Sequence, residues 1–408
     1  MRILHTADWH LGDRLGRIDR TDDLRRAVER VAQLCQDHNV DVLLVAGDIF
    51  SELSRPDSLR GSIEHLQHTF EKFLLDGGTI LAVTGNHDNE TFCQTLQLVM
   101  TLAAPTSSKT GELHPPGRLY LATQPDLLRL QDKSGTTVQF LLMPYPMPVR
   151  YLRDEESQKF GSLQEKNKTL QDAYTKTLQE LQTHSRYDKN LPTVLAAHIH
   201  VQGAVLPNLF RLTEQESIIF DEADLPVDLD YIALGHIHQP ITIRGLSHVR
   251  YSSSIDRLDL GERKDQKGVV LFDIGPNGRE GEPEFLPLPA TPIYTIDIQD
   301  PAEELPKLRD DFPNAENDLV NLQFTYTAGK DNLEEILKQL EDIFPRWYVR
   351  NWTETSALGP TLTVGEPGHG KSFEETVRGY LDQELTNHTE EERQAVVELM
   401  EELLKADF

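Results

Sequence analysis

Thiols, basic residues in surplus and long apolar runs are all scarce in this chain of 408 residues. It holds two cysteines, Cys35 and Cys93, far apart and in no Cys-x-x-Cys pattern, which excludes a disulfide scaffold and a thiolate metal cage. Both fall in helical patterns and read as reduced thiols. No apolar run approaches the roughly 20 residues that span a bilayer. The first strand pattern begins at Arg2, leaving no room for a signal peptide, so a cytoplasmic protein with no membrane partner is expected. Lys and Arg number 40 against 67 Asp and Glu, a net charge of −27. Such a deficit argues against tight unaided binding to a polyanion. The hydrophobic content of 38% is ample for buried cores, and the length suits two or three domains.

What the chain does have is a series of oxygen and imidazole groups. It runs Asp8-Trp9-His10, Gly47-Asp48, Gly85-Asn86-His87-Asp88, His198, and Gly235-His236-Ile237-His238. Nearly every member follows a short apolar run: Ile3 to Ala7, Val42 to Ala46, Ile80 to Thr84, Val194 to Ala197, and Tyr231 to Leu234. Such runs read as buried strands of an α/β sheet. Groups at the carboxyl ends of those strands converge on one rim. Two Asp, one Asn and up to five His there are too many for one ion and suit two. Imidazoles and carboxylates fit borderline divalent ions such as manganese, iron or zinc. Asp48, alone in its motif, is the candidate bridge. Two ions roughly 3.5–4 Å apart suit in-line phosphoryl displacement, and the neutral Asn86 leaves the site net positive.

The order of these motifs resembles the calcineurin-like metallophosphoesterase superfamily. The stretches Leu4 to Gly12, Val45 to Phe50, Ala197-His198 with Val201 to Ala204, and Leu234 to His238 resemble its branch of nuclease subunits from bacterial double-strand-break repair complexes. The resemblance covers about the whole chain and is strongest to residue 260. It implies a four-layer α-β-β-α core, and one ion on Asp8, His10, Asp48 and His238. The other ion would rest on Asp48, Asn86, His198 and His236, with His87 the non-ligand catalytic acid. The implied cofactors are two divalent ions, Mn2+ with Mg2+ or Fe2+ as substitutes. The implied activity is DNA cleavage, exonucleolytic on duplex ends and endonucleolytic on single strands or hairpins. The implied partners are DNA, an SMC-type ATPase and a second copy of the chain, and the implied location is the nucleoid. Ile49-Phe50-Ser51-Glu52 stands where the superfamily's protein phosphatases carry Asp-Arg-Gly, which argues against that branch. Ser51 also occupies the place of a further histidine found in some relatives.

Blander readings stand beside these. His5 lies inside the first strand and reads as packed. His198 and His200 share one strand face, and His198 is preferred as ligand because it ends the apolar run. The remaining histidines read as surface. Residues 300–408 hold 25 acidic and 10 basic residues, leaving −12 over the first 299. Arg14 with Arg17, and Arg25 with Arg26, are candidate phosphate contacts, yet DNA affinity is expected to depend on a partner.

The expected domains are a metallophosphoesterase core over 1–282, a capping unit over 290–360 and a helical partner-binding segment over 365–408. Arg20 to Asn39 and Leu59 to Leu75 have helical periods, and Leu66 and Phe70 are candidate homodimer contacts. Ile241 to Arg244 and Gly268 to Ile274 are expected strands, and the Pro-rich stretch Pro283 to Pro289 a linker. The capping unit reads strand, helix, strand, helix, strand. As a small packing unit with no function it is as good a reading as one that directs DNA. Gly365 to Ser372 matches a P-loop, but a nucleotide fold does not surround it, and Ser372 with Glu375 makes a helix-starting capping box. The amphipathic helices Glu374 to Leu385 and Thr389 to Leu403 either fold back or dock on the ATPase. Two alternatives to a nuclease are a phosphomonoesterase or cyclic-nucleotide phosphodiesterase, and a P-loop ATPase or scaffold.

Overall fold

A computed structural model describes residues 1–51, 55–104, 113–152, 160–202, 218–356 and 359–365. The P-loop match beyond Gly365, the two terminal helices, Gly203-Ala204 and Glu52 lie outside the described residues. Packing divides the chain into two units, Met1–Leu15 with Asp19–Pro292, and Gly16–Ile18 with the chain from Ile293 onward.

In the larger unit two sheets stack. The first runs, in order, Gly278–Leu288, Lys267–Gly275, Arg2–Thr6, Val42–Ala46, Thr79–Val83 and Leu119–Ala122. Its last four strands are parallel. The second runs Val249–Tyr251, Tyr231–Gly235, Thr193–His198, Thr137–Met143 and Asp126–Gln131, parallel except for the last.

Strand side chains alternate between faces, and the apolar runs fill both. Ile3, Val42, Leu44, Leu81 and Val83 point between the sheets and meet Phe140, Leu142, Val194, Ala196 and Ala233. Tyr231 stacks on Phe272 across the same layer, ring centroids 3.7 Å apart. Leu4, Leu43 and Val45 point the other way, under Leu24, Val28 and Val31 of helix Thr21–Asp37 and Phe70 and Phe73 of helix Pro56–Leu75. The second sheet's outer face is covered by Leu170, Tyr174 and Leu178 of helix Leu163–Thr183. The result is the expected four-layer α-β-β-α stack. Burying each such side chain stabilises by about 1.5–3 kcal/mol, which fixes both sheets as a rigid base for their rim.

Three local expectations are corrected. Pro283 to Leu288 is no linker but part of edge strand Gly278–Leu288, paired antiparallel with Lys267–Gly275. Edge strands tolerate Pro because one side needs no ladder donor. Ile241 to Arg244 forms no strand; a 3-10 turn covers Ile243–Gly245, with Arg244 at φ 53°. Phe70 is 1% exposed and stacks on Trp9, so it cannot serve as a dimer contact.

In the smaller unit a four-stranded sheet runs Ile293–Ile298, Leu319–Thr327, Trp347–Ser356 and Gly359–Gly365, the last antiparallel. Helices Pro301–Asp311 and Leu333–Ile343 cover one face through Leu305, Leu308, Ile336 and Leu340.

Candidate metal centre

The parallel strands Arg2–Thr6, Val42–Ala46, Thr79–Val83, Thr193–His198 and Tyr231–Gly235 all deliver their carboxyl ends to one rim of the larger unit. Tight turns there aim side chains inward. Asp8, His10, Asp48 and His236 adopt positive φ of 54°, 46°, 52° and 97°. Such backbone costs of order 1–3 kcal/mol per residue and persists only where surrounding structure enforces it. Space is equally tight: a Cβ on Gly47 would lie 2.1 Å from Nδ1 of His198, and one on Gly85 2.0 Å from Oδ1 of Asp48.

Seven of the predicted ligands gather. Asp8, His10 and His238 bring donor atoms within 4.8 Å of one another, and so do Asp8, Asp48 and His198. Nε2 of His10 lies 3.6 Å and Nε2 of His198 3.2 Å from Oδ2 of Asp48. Asn86 Oδ1 lies 3.1 Å from Nε2 of His198 and 3.0 Å from Nδ1 of His236. Backbone groups hold the carboxylates, with His236 N–H donating to Asp8 Oδ1 at 3.0 Å and His87 N–H to Asp48 Oδ1 at 2.9 Å. His87 itself is half-buried, its ring 4.9 Å from that of His10. It also comes within 4.8 Å of the donor atoms of His10 and Asp48. His200 sets its ring 5.9 Å from that of His236.

The arrangement fits divalent cations. His198 gives Nδ1–H to the carbonyl of Ala46 at 2.7 Å. Its Nε2 can then donate to Asn86 or Asp48 only as an imidazolium, whereas a cation would serve all three atoms at once. Oδ2 of Asp48 and Nε2 of His236 are buried and make no hydrogen bond among the described residues. Buried polar atoms in that state are costly unless an ion or water completes them. Electrostatics agree. Burial opposes charge on His198, but the adjacent Asp48 carboxylate outweighs it and raises the imidazole to about 9. Burial likewise opposes charge on Asp48, and His198 and His10 hold it well below the usual range. His236, buried beside His198, is pushed well below its usual value and keeps one ring nitrogen's lone pair free of a proton.

The motifs do not mark the residues that hold them. Glu262 meets Nδ1 of His238 at 2.7 Å. Arg150 pairs with Glu90 and donates to the carbonyls of Tyr145, Thr84 and Gly85 at 3.0, 3.3 and 3.4 Å, pinning the turn before Asn86. Tyr145 sets its ring 5.8 Å from that of His236. Glu262 and Arg150 do not end an apolar run, so the sequence carries no local signal for them, whereas Tyr145 follows strand Thr137–Met143 by two residues and could have been found by the same pattern. Of the candidate phosphate contacts, Arg26 pairs with Asp23 at 2.6 Å and Arg25 donates to the carbonyl of Gly61.

Known proteins share this chain's pattern. Calcineurin-like phosphoesterase matches residues 1–240. The D subunit of the SbcCD nuclease from Bacillus subtilis (strain 168) is 30% identical over 282 residues, covering 68% of this chain and 67% of that protein. Its namesake from Escherichia coli (strain K12) is 30% identical over 301 residues, 71% and 69% of the two chains. That of Staphylococcus epidermidis is 26% identical over 356 residues, 85% and 83%. A dimetal phosphatase from Danio rerio superposes with a TM-score of 0.38 at 9% identity, covering 71% of this chain and 99% of that one. The chain therefore belongs to the calcineurin-like phosphoesterase family, phosphoester hydrolases that use divalent metal ions, and groups there with the D subunits of SbcCD nucleases.

Proposed function

We propose that this chain is a two-metal DNA nuclease that processes DNA breaks in a complex with an SMC-type ATPase. One observation carries the reading: Asp48 is shared between two groups of donor atoms, its Oδ2 approached by Nε2 of both His10 and His198. Asp8, His10, Asp48 and His238 would hold one ion, and Asp48, Asn86, His198 and His236 the other, manganese being the preferred metal. When bound, the ions polarise the phosphodiester and lower the pKa of water.

The chain's own groups do the rest. Asp48 and Asp8, fixed by backbone N–H groups, set the spacing of the two positions. Asn86 contributes a neutral oxygen, so the site stays net positive toward a phosphodiester. His87, partly exposed while His10 and Asp48 are buried, would pass a proton to the departing 3′ or 5′ oxygen. The net charge of −27 makes a DNA-binding partner necessary for tight duplex association. The unit over 290–360 would cap the DNA path, and 365–408 would dock the ATPase.

Self-association into a homodimer, giving a heterotetramer with the ATPase, is part of the reading. Leu98, Val99 and Leu102 on helix Glu90–Ala103 are 69%, 56% and 82% exposed. Apolar residues so placed on one helix face favour burial against a second copy.

The test is cleavage of labelled duplex and hairpin DNA by purified protein in manganese or magnesium, with and without the ATPase. A small phosphomonoester is assayed in parallel. Manganese-dependent DNA cleavage is expected; turnover of the small ester with indifference to DNA would overturn the reading.

A further inference from the structure

The centre has two imidazoles backed in different ways. His198 rests its Nδ1 on a neutral carbonyl, that of Ala46. His238 rests its Nδ1 on a carboxylate, Glu262 Oε1, also at 2.7 Å. The other oxygen of Glu262 takes Lys267 Nζ at 2.7 Å and the backbone N–H of Leu258 at 3.0 Å. Lys267 is fully buried and donates as well to the carbonyl of His238 at 2.7 Å. The three residues close a ring: imidazole to carboxylate, carboxylate to ammonium, ammonium to the imidazole's own backbone. On its far side, Nε2 of His238 faces Asp8 Oδ1 at 4.0 Å.

We infer that Glu262, locked by Lys267, is a positioning residue that dedicates Nε2 of His238 to the ion nearer Asp8 and makes the two metal positions unequal in strength. Resting on the two-metal reading above, the inference follows from hydrogen-bond chemistry. A carboxylate only accepts, so Nδ1 must carry a proton, and in the neutral ring that a metal requires the lone pair then falls on Nε2. A carboxylate behind an imidazole also makes it a better donor to a metal than a carbonyl does. Lys267, its side chain 0% exposed, also lies 3.8 Å from Asp265 Oδ2, so the Glu262 carboxylate keeps its charge and its aim inside a buried, paired network. The segment Asp256–Lys267 thus contributes to the centre without touching a metal.

Glu262→Gln tests this in the full chain. A glutamine has one acceptor oxygen for three donors, His238 on one side and Lys267 with the Leu258 N–H on the other, so one of its sides must turn unfavourable. Manganese titration by calorimetry should show two sites in the wild type. In the variant one of them should weaken by about 10–100-fold, with the other unchanged. Imidazole 15N spectra of the metal-free protein should show His238 losing its single Nδ1–H tautomer. Equal weakening of both sites would mean a merely structural role and overturn the inference; so would superimposable isotherms. If the wild type binds no manganese, the two-metal reading itself falls, whatever the variant does. Should Glu262→Gln fail to fold, Glu262→Asp keeps the charge for Lys267 but withdraws it by one methylene from Nδ1. The same selective weakening is expected there, and an unchanged tautomer with unchanged affinities would overturn the inference.

Discussion

Nδ1 of His198 and the carbonyl of Ala46 lie 2.7 Å apart, joining the last residue of a strand in one sheet to the last residue of a strand in the other. The bond aims Nε2 of His198 at Asp48, two residues beyond Ala46. Asp48 therefore depends on both sheets, and both proposed metal positions depend on Asp48.

Replacing Asp48 by Asn should abolish cleavage and release metal without unfolding the chain. Asn tolerates the positive φ of 52° at this position, and it removes a buried charge rather than a packing group. In EDTA the variant should still unfold cooperatively but melt lower than the wild type, because the buried His198 imidazole loses the carboxylate beside it. Full cleavage in manganese would refute the bridge.

His87→Gln should keep both ions and lose about 10²–10⁴-fold in turnover, the usual worth of a general acid. Metal content of the purified variant, measured by elemental analysis, distinguishes acid from ligand. Loss of an ion would make His87 a ligand.

Removing metal should lower the melting temperature. An ion present at about 100 times its Kd stabilises by about 2.7 kcal/mol, or roughly 4–5 °C for a unit of this size. Scanning calorimetry with manganese and then with EDTA measures the difference; identical melts would contradict ion binding to the folded chain.

Arg150→Met should destabilise by about 3–5 kcal/mol, because Glu90 is left without its buried partner. Adding Glu90→Met should return part of that loss, measured by denaturant unfolding in a double-mutant cycle. Simple additivity would show that the pair does not act as a unit.

Stability should fall in acid partly through His5. Burial, with Arg250 nearby, pushes its imidazole down to about 3, against about 6.5 in an unfolded chain. The folded state resists the proton, so this contribution is complete above about pH 6.5 and is lost as pH falls toward 3. The slope is at most about 1.4 kcal/mol per pH unit. His5→Gln should flatten the stability profile over that window relative to the wild type.

The convergence of the proposed ligands on one rim was legible because nearly every one follows an apolar run, and a run of five such residues carries its own strand signal. His198 over His200 was legible for the same reason. Glu262 was not, since it sits in a 3-10 turn whose direction is set by Lys267 and Leu258 rather than by any local period. Phe70 looked surplus on its helix because the Trp9 ring it stacks on comes from the Asp8-Trp9-His10 turn. The Pro-rich stretch Pro283 to Pro289 hid a strand because an edge strand needs only half its donors.

The division of ligands between sheets has a consequence for the order of assembly. Asp8, His10, Asp48 and Asn86 all lie within the first hundred residues, whereas His198, His236 and His238 arrive a hundred or more later. A growing chain exposes its carboxylates long before the imidazoles that complete the cage. Early capture of an ion would be weak and reversible, and tight loading must wait until the second sheet has docked. Bound metal would then serve as a certificate of finished folding, and a nuclease trapped half-made would stay unarmed.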